Sequence, residues 1–219
     1  MKCETVQSPD GVLLVGGGNP DPSDLVEIVA KAPFLAAADG GADHCLQAGL
    51  KPQVVIGDLD SVSAAARKVL GPDAFIEYKD QDLTDFEKSL RILDAPFVIA
   101  TGFSGARLDH TLANFAILAR RIGPPTLLLG ARDVAFAAPK NATLDLPLGT
   151  RLSLFPLAPM RGASKGLKWP IDGLTIDPLG RLGTSNEVVG PVELTFEAPG
   201  TIVLIPREYL DLALAALTG

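Results

Sequence analysis

The stretch "QVVIGDLDSV", residues 53–62, decides how the chain is read: a Val-Val-Ile run is followed at once by two aspartates one residue apart. Three consecutive β-branched residues with no polar interruption describe a strand buried on both faces. A turn after such a strand needs one aspartate at most, because a single side chain bonds back to its own backbone. Asp58 and Asp60, brought together, repel each other unless a positive charge lies between them. The spacing therefore points to a divalent cation.

Similar apolar runs lie on either side: "VLLV" (12–15), "FLAAA" (34–38), "FVIA" (97–100) and "TLLL" (126–129), with "FIEY" (75–78) a weaker member. Helical patterns separate them. "SDLVEIVAKA" offers Ser23 as an N-cap, with Leu25, Ile28 and Val29 on one face. "TDFEKSLRIL" offers Thr84 and Glu87 as a capping box ahead of Phe86, Leu90 and Leu93, and "LDHTLANFAILARRIG" is closed by Gly123 and Pro124. Strands alternating with helices predict parallel pairing through right-handed crossovers, and hence an α/β sheet covered on both faces. From about residue 133 to 206 the pattern changes. There "RLSLF", "VELTFEA" and "TIVLI" recur between Gly and Pro turns, which predicts an antiparallel sandwich or barrel. Two domains are expected, 1–134 and 135–219, with "REYLDLALAALTG" as a packing helix of the second.

Composition narrows the classes of function. The 219 residues are 47% hydrophobic and 21% charged, and no apolar run approaches the length of a membrane span, so a soluble globular protein is expected. "MKCETVQSPDG" lacks the apolar core of a secretory signal. Cys3 and Cys45 are too few for a disulfide framework and match no metal spacing, which makes a reducing cytoplasm the expected location. A net charge of -7 argues against a general nucleic-acid surface, which needs a basic stripe. An anionic substrate would need local help, from a metal or from a few placed Lys and Arg.

In an open parallel sheet, ligands bind beyond the carboxyl ends of the strands. Asp39 follows "FLAAA", Asp58 and Asp60 follow "VVI", Asp80 and Asp82 follow "FIEY", and Asp109 opens a helix after "FVIA". Asp85 falls in the first turn of the helix that Thr84 opens. Taken singly, each is an ordinary turn or capping residue; their convergence on one rim is what needs explaining. Oxygen ligands without His or Cys suit Mg²⁺, which takes one or two carboxylates together with substrate phosphates. A nucleoside triphosphate is the expected partner. Lys79 and Arg107 flank the rim and could hold phosphate oxygens, while His44 and His110 read as structural. "VGGGNP" (15–20) could approach phosphates, yet it is neither a Walker loop nor the dinucleotide fingerprint.

The blocks "AADGGADHCLQAGLKPQVVIGDLDSV", "KDQDLTDFEKSL" and "GARLDHTLANF", followed by "SKGLKWPI" (164–171) and "GTSNEV" (183–188), resemble the thiamine pyrophosphokinase family over nearly the whole chain. That resemblance implies an N-terminal parallel-sheet nucleotide-binding domain and a C-terminal antiparallel β-sandwich domain for thiamine binding and dimerisation. It implies Mg²⁺-dependent transfer of diphosphate from ATP to the hydroxyl of thiamine, giving thiamine diphosphate and AMP. It also implies a homodimer with thiamine held between subunits. By the same resemblance Asp58, Asp60 and Asp85 hold the metal and diphosphate, with Asp39 close by, and Gln81, Asp82 and Thr84 contact the nucleotide. Arg107 and Asp109 match the "RLDH" block, with Arg107 on phosphate; Trp169 lies against thiamine and Ser164 is a candidate thiamine contact. Asp82 and Asp109 are both candidate general bases. Leu59 stands where the family more often has Phe. Two other classes fit less well. A nucleotide-binding regulatory protein with a decayed site would have lost carboxylates, and a Rossmann-type dehydrogenase has no use for an acidic rim.

Overall fold

The computed structural model describes residues 5–105 and 107–219; Cys3 lies outside them. The chain divides into two compact units, Met1–Ile117 with Ile122–Pro125, and Leu118–Arg121 with Thr126–Gly219.

The first unit alternates strands and helices. Its strands are β1 (Val6–Gln7), β2 (Val12–Val15), β3 (Phe34–Ala38), β4 (Val54–Gly57), β5 (Phe75–Glu77), β6 (Leu93–Asp94) and β7 (Val98–Thr101). Its helices are α1 (Pro22–Ile28), α2 (Gly41–Gln47), α3 (Ala64–Leu70), α4 (Asp85–Ile92) and α5 (Leu108–Ala119), the last running on into Leu118 and Ala119. The strand pairs are parallel: β1 with β6, β2 with β7, and β4 with both β3 and β5. All four residues of β2, of β4 and of β7 are buried, as unbroken apolar runs covered on both faces require. The cap of α1 differs from the sequence reading. Pro22 takes the first helical position, so the cap moves back to Asp21, whose carboxylate accepts from the Ser23 amide at 2.9 Å; Ser23 lies inside the first turn. Thr84 does cap α4, its hydroxyl accepting from the Glu87 amide at 3.2 Å.

The second unit is antiparallel. It holds β8 (Thr126–Leu129), β9 (Asp133–Ala137), β10 (Asn141–Leu144), β11 (Arg151–Pro156), β12 (Gly162–Leu167), β13 (Ser185–Phe196), β14 (Thr201–Pro206) and α6 (Leu210–Thr218). The order β8, β9, β14, β11, β13 forms one run of neighbours. β13 serves twice: Ser185–Glu187 pair with β11, and residues 192–195 pair with β10, while β12 also pairs with β13. Along β13 the buried residues are Asn186, Val188, Val192, Leu194 and Phe196, all on one face of the strand. α6 buries Leu210 and Ala213, as a packing helix should. The architecture is therefore mixed α/β, with parallel pairs and most of the helices in the first unit and a larger antiparallel sheet in the second. Among the described residues no helix is long and apolar enough to cross a membrane.

Candidate active site

Within the first unit, the loops after β2, β3, β4 and β7 and the N-terminus of α4 open on one cleft of about 510 Å³. Asp39 is the first residue beyond β3. It sits at φ +46 and is 6% exposed. One of its carboxylate oxygens accepts from the Ser61 amide at 3.3 Å, and the other is buried without any hydrogen-bond partner. Burial raises the Asp39 pKa above its ordinary value; hydrogen bonding from Ser61 opposes the rise, and the charges of Asp85 and Asp60 add to it. An unpaired buried carboxylate oxygen is costly, and a cation is the partner that would remove the cost.

Asp58 and Asp60 follow β4, and carboxylate oxygens of Asp39, Asp58 and Asp60 lie within 4.8 Å of one another. The residue between the pair, Leu59, adopts φ +67 with its side chain buried. Gly57 keeps the floor open: a Cβ there would lie 3.1 Å from the Asp39 Cβ and 3.4 Å from an Asp85 carboxylate oxygen. The donor set is all oxygen, which fits a hard divalent cation.

Asp85, in the first turn of α4, has a partner that the sequence reading passed over. Lys88, one helical turn on, places its ammonium 3.0 Å from Asp85 and 3.9 Å from Asp58. It is only 2% exposed, yet it lines the cleft. Its position three residues after Asp85, between the buried Phe86 and Leu90, was the available signal.

The other sequence candidates divide. Gln81, Asp82 and Thr84 line the cleft, and the Gln81 amide donates to Asp58 at 3.4 Å. Asp80 is not at the rim; it accepts from the Asp82 amide at 2.9 Å and is a turn residue. Arg107 and His110 line the cleft, but Asp109 does not. The Arg107 guanidinium donates to Asp109 at 3.2 and 2.6 Å, and that bonding holds the Asp109 carboxyl below its ordinary pKa. Lys79 pairs with Glu77 at 3.1 Å and lies off the cleft, as does His44. The "VGGGNP" loop forms part of the wall. The Gly18 amide donates to the Gly102 carbonyl at 2.8 Å, and a Cβ on Gly18 would meet that oxygen at 2.6 Å, whereas Gly17 faces open space.

In the second unit Trp169 is 56% exposed, so core packing does not account for it. Its peptide is clamped by the largely buried Asn186, which accepts from the Trp169 amide at 3.1 Å and donates to its carbonyl at 2.6 Å. The Lys168 ammonium lies 5.0 Å from the indole centroid. Ser164 is engaged locally: its hydroxyl accepts from the Ile171 amide at 3.1 Å and its own amide donates to Asp172 at 3.2 Å.

Residues 25–124 match the family model described as thiamin pyrophosphokinase, catalytic domain, and residues 140–200 match thiamin pyrophosphokinase, vitamin B1 binding domain. Together the two models cover well over half of the chain. Thiamine pyrophosphokinase 1 of Oryza sativa subsp. japonica is 27% identical, over 72% of this chain and 73% of the rice protein. The fold is shared with the crystal structure of thiamin pyrophosphokinase from Geobacillus thermodenitrificans, at a TM-score of 0.68, 24% identity, and coverage of 90% of this chain and 96% of that one. It is shared also with yeast thiamin pyrophosphokinase, at a TM-score of 0.72, 16% identity, and coverage of 97% and 93%. With both halves of one enzyme matched in order along the sequence, this chain belongs to the thiamin pyrophosphokinase family.

Proposed function

We propose that the protein is a thiamine diphosphokinase that transfers diphosphate from ATP to the hydroxyl of thiamine with the help of Mg²⁺, releasing thiamine diphosphate and AMP. The first compact unit acts as the nucleotide-binding domain, built on parallel strands, and the second, which takes in β8 and β9, as a β-sandwich that carries thiamine and dimerises. The observation that carries the reading is the orphaned Asp39 oxygen beside Asp58 and Asp60 at the cleft of the catalytic-domain match.

Asp58 and Asp60 hold the metal, with Asp39 as a third oxygen donor and Asp85 facing them across Gly57. Bound there, a divalent cation supplies charge neutralisation and alignment for the diphosphate oxygens. Gln81, Asp82 and Thr84 position the nucleotide along the cleft wall, and Arg107 reaches phosphate by exchanging its Asp109 partner. The thiamine hydroxyl oxygen attacks the β-phosphorus in line, the bond from β-phosphorus to the α,β-bridging oxygen breaks, and AMP leaves with that oxygen. Positioning and electrostatics do most of this work, since phosphoryl transfer asks little covalent chemistry of a protein. The hydroxyl proton goes to a carboxylate. Asp82 lines the cleft, whereas Asp109 is off it and weakened as a base by Arg107, so Asp82 is the better placed of the two.

Trp169 offers an exposed indole face to the cationic thiazolium ring of thiamine, and the lysine already beside it marks that face as receptive to a cation. Ser164 shapes the segment before Trp169 and supports the site through Ile171 and Asp172. The thiamine site is completed across a two-fold homodimer. The deciding experiment is an incubation with thiamine, ATP and Mg²⁺ followed by chromatography. AMP should rise in step with thiamine diphosphate; ADP with thiamine monophosphate would overturn the diphosphoryl reading.

A further inference from the structure

We propose that Lys88 is the resident counter-cation of the carboxylate rim, handed over to substrate phosphate when metal arrives with nucleotide, so that metal and nucleotide bind cooperatively. The proposal rests on the reading of the cleft as a metal–nucleotide site.

Asp39, Asp58 and Asp85 line the cleft, with Asp60 beside Asp39 and Asp58 but outside the lining, and one buried ammonium touches only two of these four carboxylates. Lys88 bonds Asp85 at 3.0 Å and approaches Asp58 at 3.9 Å, while the second oxygen of Asp39 is left unpartnered. One ammonium thus offsets the charge of one carboxylate among the four. A divalent cation entering alone would bind Asp58 against the repulsion of an ammonium already at its edge, in surroundings that screen charge poorly. Metal entering with a triphosphate brings anionic oxygens to which the ammonium can turn. Lysine suits this exchange because its charge is compact and its stem flexible. Arg107, the other strongly basic residue lining the cleft, is paired with Asp109 instead of these carboxylates. Once Lys88 leaves Asp85, that carboxylate is free to join the metal. By linkage, the metal must tighten nucleotide binding by the same factor as the nucleotide tightens metal binding.

The test measures Mn²⁺ binding by electron paramagnetic resonance, with and without a non-hydrolysable ATP analogue. The variants are Lys88→Met and Lys88→Gln, each checked by thermal melting, and the glutamine keeps a hydrogen-bonding group beside Asp85. In the wild type the nucleotide should tighten Mn²⁺ by ~10-fold or more. Either variant should bind Mn²⁺ alone ~10-fold more tightly than the wild type, lose most of the coupling, and show a reduced kcat. A lysine with a merely structural role would give the opposite sign, with weaker metal binding and unchanged coupling. Equal Mn²⁺ affinity with and without nucleotide in the wild type overturns the proposal without any variant. The same wild-type preparation is assayed for thiamine turnover. Turnover without coupling removes the role of Lys88 alone, whereas absence of both turnover and nucleotide binding removes the functional reading and this proposal together.

Discussion

Arg67 holds the peptide of Leu59. Its guanidinium, on α3, donates to the Leu59 carbonyl and lies over the Phe75 ring at 5.6 Å from the centroid. Leu59 is the residue at φ +67 that separates the paired aspartates, in a conformation unfavourable to any residue but glycine, asparagine or aspartate. Arg67 therefore stabilises the turn that sends Asp58 and Asp60 to the same rim. Arg67→Ala should raise the Mg²⁺ concentration at half-maximal rate ~10-fold and cost about 1–3 kcal/mol of stability. Arg67→Lys should fall between, because it keeps the charge but loses the planar stack. Metal titrations of activity beside denaturant curves check this; an unchanged metal requirement with lowered stability would reduce Arg67 to a packing role.

Asp58→Ala and Asp60→Ala should each lower kcat by roughly 10²-fold or more while leaving the fold intact. Removing one of several crowded carboxylates relieves repulsion in the metal-free protein. Circular dichroism and melting curves in chelator should match the wild type or exceed it. A variant that keeps near-normal kcat with Mg²⁺ would take that residue out of the metal site.

Asp39 predicts a pH dependence of stability with a definite sign. Its folded pKa is raised above the ordinary 3.8, so the folded state binds the proton more tightly than the unfolded chain does. The corresponding stability is full below about pH 3.8 and is lost as pH rises through the raised folded value. Asp39→Asn should remove that slope and stabilise the metal-free protein at neutral pH by about 1–2 kcal/mol, since its amide can donate to the neighbouring carboxylates. Denaturant titrations in chelator across the acidic range decide it. A wild-type stability that rises with pH in that window, with no difference in the variant, would contradict the assignment.

A mixed dimer tests the shared thiamine site. If the rim of one subunit faces Trp169 of the other, an Asp58→Ala subunit joined to a Trp169→Ala subunit contains one doubly damaged site and one intact site. Random co-assembly of equal amounts should then restore about one quarter of wild-type sites, by the symmetry of a two-fold dimer. Co-expression with two different tags, purification of the mixed species, in which about one half of the sites should be intact, and titration with thiamine give the readout. Activity no higher than the mean of the two parents would assign Trp169 to its own subunit.

The strands were legible wherever the burial was complete. "VLLV", "VVI" and "TLLL" cover β2, β4 and β8, because a strand covered on both faces has no polar interruption to misread. α2 and α3 were not read, since "GADHCLQ" and "AAARKVL" are two turns long and built largely of small residues that leave no apolar stripe. β1 and β6, at two residues each, carry no pattern at all. In the site, the spacing of Asp58 and Asp60 picks out two of the three carboxylates whose oxygens lie within 4.8 Å of one another. Asp80 and Asp109 look like Asp82 in sequence and differ only in where the chain turns them, one into a turn and one onto Arg107. Lys88 was passed over because a lysine on a helix is read as solvated, although its place between Phe86 and Leu90 hinted at the burial that packing gives it.

The bonds that tie the carboxylate rim together, from Asp39 to Ser61, from Gln81 to Asp58 and from Lys88 to Asp85 and Asp58, all fall between Asp39 and Lys88. β13, by contrast, meets its partner β10 only after β11 and β12 have been made between them. On a ribosome, where the amino-terminal part of a chain emerges and folds first, the rim can close while the antiparallel unit is still unmade. The nascent chain would then carry its crowded charges from early in its synthesis, with Lys88 as a buried cation among them, and divalent ions would act on it as a folding aid before it had any substrate to turn over.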